Sequence, residues 1–96
     1  MQHIATLIGA GWLRTRSSGS STARYELNVW RRITGPQAGQ LVALGKLVAE
    51  LSIMIEARIA GRAVLVLSTG DPVAVELETL GGEEARFAVI GDVPGF

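Results

Sequence analysis

The sequence predicts a mainly-β fold, a small antiparallel barrel of six strands with one short helix between the third and fourth strands. Three observations lead to this fold class. Apolar and polar residues alternate along several short segments, turns containing Gly and Pro separate those segments, and one segment with helical spacing ends at a glycine. The chain has 96 residues, 48% of them hydrophobic, and is expected to form a single domain over residues 1–96.

Strict alternation is the strongest strand signal in the first half of the chain. The apolar stretch 4–13 predicts the first strand, and residues 24–32 predict the second. In the second strand the apolar positions are expected to face the core, and they are Tyr25, Leu27 and Val29. Residues 15–22, which are rich in Ser and Gly, predict a flexible loop between these two strands.

The last third of the chain predicts an antiparallel meander. Alternating or fully apolar segments occur at 63–67, 73–78 and 85–90, and two short turns containing Gly separate them. Such short connections join neighbouring antiparallel strands. The final residues, 91–96, are expected to lie against the barrel through Phe96.

The middle of the chain allows two interpretations. Apolar residues recur at helical spacing, which predicts one long helix over 38–60 and an α+β fold with an antiparallel sheet. Alternatively, a strand at 40–48 precedes a short helix at 50–60 that ends at Gly61. An interior glycine costs a helix about 1 kcal/mol relative to alanine, and Gly45 suits a bulge or a barrel bend. The strand followed by the short helix is therefore favoured.

The order of three strands, a helix and further strands resembles the OB-fold, a small, partly open β-barrel. The resemblance covers the whole chain and consists of element order and turn placement, without a sequence motif. It implies a binding surface on the second and third strands and on the loop between the first two. In this chain those are residues 24–32, 40–48 and 14–23.

Charge divides the chain into a basic and an acidic half, although the formal net charge is zero. Residues 1–48 carry six cations and one anion, a balance of +5, whereas residues 49–96 carry three cations and eight anions, a balance of −5. The basic half also contains both tryptophans and the only tyrosine. Such a division is typical of a surface for an anionic partner or for a second copy of the protein.

One hypothesis is single-stranded nucleic-acid binding through the hairpin 12–32, in which an aromatic ring stacks on bases and arginines contact phosphates. The predicted polyanion-binding residues are Arg14, Arg16, Arg24, Trp30 and Arg32. The net charge of zero is low for a nucleic-acid-binding domain, so this function is not the favoured one.

The favoured hypothesis is self-association or the binding of a protein partner. The predicted third strand is apolar on its outer face as well as its inner face, and its outer residues are Val42, Leu44 and Val48. An apolar patch of this kind is typical of a protein interface. A third hypothesis is a pocket for a small ligand at the barrel mouth, for which the sequence specifies no residues.

Residues for catalysis or metal binding are scarce. The chain has no cysteine and one histidine, and no cluster of His, Cys and Asp has ligand spacing. The carboxylate pairs Glu76/Glu78 and Glu83/Glu84 occupy positions typical of solvated side chains. We therefore expect no enzymatic activity, no metal and no cofactor. The apolar first strand is too short to span a bilayer, so a cytoplasmic protein without membrane association is expected.

Overall fold

Six strands close into a barrel in the computed structural model, which describes residues 1–17 and 19–96. The elements are β1 (Gln2–Arg14), β2 (Ser20–Arg31), β3 (Leu41–Val48), α1 (Leu51–Ala60), β4 (Ala63–Val66), β5 (Pro72–Gly81) and β6 (Glu84–Val89). Neighbouring strands are antiparallel, in the order β1-β2-β3-β6-β5-β4 around the barrel. The fold is mainly β with a short helix between the third and fourth strands, which confirms the predicted fold class. It is compatible with an OB-like barrel.

Residues 41–48 form a strand, so the alternative of a long helix over 38–60 is wrong. β3 pairs along its length with β2, and its second half also pairs with β6, which satisfies backbone groups on both sides. The pairing of β3 with β2 and with β6 continues without a break at Gly45, so this glycine is not at a bulge. A Cβ at this position would come within 2.3 Å of the Glu26 carbonyl oxygen and 2.8 Å of Phe87 Cζ. Glycine is therefore needed here for close packing.

Inward-facing side chains at alternate strand positions fill the barrel. Tyr25, Leu27 and Val29 are buried, which confirms the predicted core face of β2. Phe87 on β6 is only 1% exposed, and it lies opposite Leu77 on β5. Large apolar side chains from β2, β5 and β6 thus occupy the interior.

The helix closes one end of the barrel. Met54 and Ala57 on α1 are fully buried against the core, whereas the rest of the helix is partly or largely exposed. The Glu50 N–H, just before the helix, donates a hydrogen bond of 2.9 Å to Ser21 Oγ at the start of β2. This end of the barrel therefore contains the start of β2 and the end of β1.

The C-terminal segment lies at the other end of the barrel. Val93 is buried in the core, and it lines a cleft together with Leu41, the first residue of β3. The Phe96 ring is 47% exposed. Val93 is therefore the buried anchor of this segment, and Phe96 lines the same cleft with about half of its surface exposed.

β1 and β2 form a hairpin that runs the length of the molecule. A strand rises about 3.3 Å per residue, so β1, with 13 residues, spans a distance similar to the longest dimension of 39 Å. Residues 20–22 belong to β2, because they pair with the end of β1, and the flexible loop predicted over 15–22 is therefore too long. Ser18, in the same predicted loop, lies outside the described residues.

Candidate functional site

An exposed tryptophan surrounded by arginines lies on the outer face of the barrel near α1. Trp12 is 52% exposed, and Arg14 follows two residues later on β1, so both side chains point outward about 7 Å apart. Arg24 on β2 lies diagonally next to Trp12 on the same outer face. Arg16 follows in the β1–β2 loop, and Arg62 directly precedes β4. We call these five residues the Trp12 face.

Three of these arginines line an open cleft beside β4. The cleft has a volume of about 590 Å³ and is lined by Arg14, Arg16 and Arg62 and by apolar residues that include Val64 and Ala74. None of the described residues that line it is acidic. Within the described residues, no carboxylate oxygen lies within 4.0 Å of a nitrogen of these three side chains. The cleft therefore combines an apolar lining with arginine charges that form no ion pair in the part of the chain that the structure describes.

A carboxylate on α1 holds the β1–β2 loop next to this cleft. Glu56 Oε1 accepts a hydrogen bond of 2.6 Å from Thr15 Oγ1 and a second hydrogen bond from Ser17 Oγ. The Thr15 N–H donates to the Gly19 carbonyl oxygen at 2.8 Å. Because Arg16 lies between Thr15 and Ser17, these bonds fix its backbone against the helix.

Replacing Glu56 by alanine is expected to lower the free energy of unfolding by about 1–2 kcal/mol, because two hydroxyl donors lose a charged acceptor that is partly exposed. Urea denaturation followed by circular dichroism measures the change. Glu76→Ala is the matched control: Glu76 is exposed on β5, and its side chain has no hydrogen bond or ion pair within the described residues. An equal, small effect of both substitutions would show that Glu56 does not anchor the loop.

The second tryptophan lies far from the Trp12 face, near the opposite end of the barrel. The Trp30 ring is half-buried and packs edge-on against His3, with ring centroids 4.7 Å apart. Thr6 Oγ1 donates to Asn28 Oδ1 at 2.7 Å, and His3 Nε2 lies 3.0 Å from Thr6 Oγ1. This polar cluster holds His3 against the Trp30 ring, which is therefore less open to a ligand than the Trp12 ring.

The five predicted polyanion-binding residues fall into two separate groups along the hairpin. Arg14, Arg16 and Arg24 belong to the Trp12 face, whereas Trp30 and Arg32 lie at or just beyond the far end of β2. The nearest members of the two groups, Arg24 and Trp30, are about 20 Å apart along β2, whereas Arg14 and Trp30 are about 33 Å apart along the hairpin. Arg32 Nε is buried without a hydrogen-bond partner in the part of the chain that the structure describes. A ligand shorter than about 20 Å therefore cannot contact both groups.

Sequence reasoning missed Trp12 and Arg62 as members of a site. Trp12 lies between Gly11 and Leu13, which are both buried, so alternation in β1 is the signal that places Trp12 outward. Arg62 comes near Arg14 only because β4 pairs with β1. No local pattern indicates a long-range pairing of this kind.

The predicted interface residues lie on the outer face of β3. Leu44 and Val48 are exposed, and Val42 is half-buried. Val42 and Leu44 line a cleft of about 490 Å³ next to the C-terminal segment. That segment covers part of the apolar face, and the role of these three residues as an interface stays a prediction.

A second exposed apolar surface lies on α1. The buried residues of this helix are Met54 and Ala57, whereas Leu51, Ile55 and Ile59 are 54%, 41% and 82% exposed. These three residues are spaced four apart and form one stripe on the side of the helix away from the barrel. We call them the α1 stripe. Apolar residues of α1 therefore occupy both the side that the barrel covers and part of the exposed side, which also carries Ser52 and Arg58.

Comparisons of the chain with protein-family models, with curated protein sequences and with solved structures find no match. In the part of the chain that the structure describes, no helix is long and apolar enough to cross a membrane. Among the same residues, no three His, Cys, Asp or Glu side chains are grouped as metal ligands would be. The function is therefore inferred from the α1 stripe and the Trp12 face.

Proposed function

We propose that the protein is a non-enzymatic, self-associating domain in which the α1 stripes of two copies pack against each other. The observation that carries this proposal is the exposure of three large aliphatic side chains on one face of a helix whose other face is buried. Single exposed apolar residues are ordinary on protein surfaces, whereas a contiguous exposed patch is typical of an interface.

The α1 stripe is symmetric about its centre. In an antiparallel helix pair with a two-fold axis at Ile55, Leu51 of each copy lies beside Ile59 of the other copy. A two-fold interface must be self-complementary, because the same patch is used on both subunits. Three aliphatic residues at equal spacing meet this requirement. A second copy of the chain is therefore the occupant that fits the stripe.

The charges near the ends of α1 favour the same arrangement. Glu50 directly precedes the helix, and Arg58 lies in its last turn, and both are exposed. In the antiparallel pair, Glu50 of one copy lies toward the helix end that carries Arg58 in the other copy. Opposite charges and opposed helix dipoles then meet at both ends of the contact.

The expected dimer is weak. α1 has 10 residues, so the helix is about 15 Å long. A contact of this length is small compared with a stable interface, which buries about 1,200–2,000 Å². We therefore expect a dissociation constant on the order of micromolar.

Sedimentation equilibrium over a range of protein concentrations tests the proposal. The unaltered chain is expected to change from monomer to dimer in the micromolar range. Ile55→Glu is expected to weaken the dimer by about 100-fold or more, because the change places two unpaired carboxylates next to each other at the two-fold axis.

Ile33→Glu is the matched control. Ile33 is an exposed isoleucine in the connection between β2 and β3, away from α1. The same change there is expected to leave the dissociation constant within about two-fold. An unaltered chain that remains monomeric at about 1 mM, or an equal loss of dimer in both variants, would contradict self-association through α1.

Two finer assignments belong to this proposal. The barrel is assigned as OB-like with an additional strand on the basis of its element order. The cytoplasm is assigned as the compartment because a chain without cysteine fits a reducing environment.

A further inference from the structure

We propose that the Trp12 face binds single-stranded nucleic acid, with the Trp12 ring stacked on a base and the arginines in contact with phosphates. This function goes beyond self-association and uses a different surface. Trp12 lies on β1 in the barrel wall, whereas the α1 stripe lies on the helix that closes one end of the barrel.

The surroundings of Trp12 suit a stacked base. The residue opposite Trp12 on β4 is Val66, and the residue opposite Val66 on β5 is Pro72. This row gives the exposed indole an apolar border on one side, and a base that covers the ring removes apolar surface from water. Base–aromatic stacking tolerates any sequence, because every base has a π-face.

The arginines lie on both sides of the ring. Arg14, Arg16 and Arg62 line the cleft on one side, and Arg24 lies diagonally across on β2. A strand that crosses the ring therefore meets a guanidinium before and after the stacked base. Guanidinium groups recognise phosphate oxygens through pairs of parallel hydrogen bonds.

The positive charge of the Trp12 face is local, so the zero net charge of the chain does not oppose this function. Exposed charges act over about one Debye length, roughly 8–10 Å in physiological salt. The only lysine, Lys46, is paired with Glu26 and Glu84 at 3.8 and 3.7 Å, but the cleft arginines have no such partner within the described residues. Glu56, which bonds the same loop through two neutral hydroxyl groups, keeps its negative charge and offsets one of the four arginine charges of the face.

The geometry favours a single strand over a duplex or a membrane. Stacking on Trp12 needs a base whose face is free, and the bases of a duplex are stacked on one another. The arginines line a concave cleft of about 590 Å³. A single strand can enter such a cleft, whereas the surface of a bilayer cannot.

A fluorescence titration tests the proposal. The chain has two tryptophans, so Trp30→Phe leaves Trp12 as the only indole reporter. A short oligothymidylate is expected to quench its emission at about 50 mM salt, and the association constant is expected to fall steeply between about 50 and 200 mM salt. Anisotropy of a labelled oligothymidylate with the unaltered chain gives a second readout that does not depend on the Trp30 substitution.

Three variants locate the site. Trp12→Ala is expected to weaken binding by roughly 10- to 100-fold through the loss of stacking. Arg62→Ala is expected to weaken binding and to reduce the slope of log K against log[salt] by about 0.7, the value for one phosphate contact. Arg31→Ala is the matched control, because Arg31 is an exposed arginine at the far end of β2 and is expected to change neither quantity.

The binding measurements distinguish a single strand from the competing ligands, a DNA duplex and a membrane. Absence of quenching at low salt, or an equal loss of affinity in Arg62→Ala and Arg31→Ala, would overturn the proposal. Tighter binding of phosphatidylserine vesicles or of a DNA duplex than of oligothymidylate would also overturn it. The oligothymidylate measurements do not depend on whether the chain dimerises. A chain that fails to bind oligothymidylate is therefore distinguishable from a chain that fails to self-associate.

Discussion

The Gly11→Ala chain is expected to lose about 3 kcal/mol of its free energy of unfolding, near the upper end of the usual cost of overpacking. A Cβ on Gly11 would lie 1.9 Å from the Val66 carbonyl oxygen and 3.0 Å from the Val66 carbonyl carbon. These are backbone atoms that cannot rotate away, so β4 must move away from β1. In the described chain β1 pairs with β4 only over residues 12–14. The added methyl group is therefore expected to weaken the pairing of β1 with β4, which closes the barrel.

Gly81→Ala is the control for this substitution. Gly81 also lies in a strand, its φ is outside the left-handed region, and an added Cβ has no neighbour within 4 Å. The free energy of unfolding of the Gly81→Ala chain is expected to differ from that of the unaltered chain by no more than about 0.5 kcal/mol. Urea denaturation of both variants measures the difference. If Gly11→Ala unfolds at the same urea concentration as Gly81→Ala, the close approach of β1 and β4 is not present in solution.

The Phe87→Ala chain is expected to lose about 3–5 kcal/mol of its free energy of unfolding. Phe87 is 1% exposed, and its ring occupies the space that the missing side chain of Gly45 leaves open. Removing the ring loses its burial and leaves a cavity between β3, β5 and β6. A domain of this size has only about 5–14 kcal/mol of stability in total, so the variant is expected to unfold at a much lower urea concentration.

Phe96→Ala is the control, because the chain has only two phenylalanines and Phe96 is 47% exposed. This change is expected to cost less than about 1 kcal/mol, since the ring loses little burial and the nearby Val93 remains the anchor of the C-terminal segment. Equal costs for the two phenylalanines would contradict the description of the core.

The strands were predictable because period-two alternation reports directly which side chains face the core. Residues 24–32 illustrate this, since Tyr25, Leu27 and Val29 are all buried as expected. The start of β2 was not predictable from composition. Ser and Gly favour loops, but residues 20–22 gain backbone hydrogen bonds by pairing with β1, and this long-range pairing outweighs the local preference.

The candidate surfaces were less predictable than the fold. Apolar residues lie on both sides of α1, so helical spacing alone does not tell which side the barrel covers, and burial of Met54 and Ala57 turns Ile55 outward. Likewise, a strand pattern places Trp30 on the outer face, but only the three-dimensional structure shows His3 packed against it. The spacing of apolar residues within one segment does not predict contacts that depend on the packing of distant segments.

Disulfide formation across the expected two-fold axis tests self-association through α1 most directly. The chain has no cysteine, so Ile55→Cys introduces a single thiol, and helices packed 8–10 Å apart bring facing Cα atoms to within about 5 Å, inside the reach of a disulfide. After mild oxidation at micromolar concentration, Ile55→Cys is expected to run mainly as a covalent dimer on a non-reducing gel, whereas Ile33→Cys is expected to remain monomeric. Equal cross-linking of the two variants, or none in either, would contradict an interface centred on Ile55.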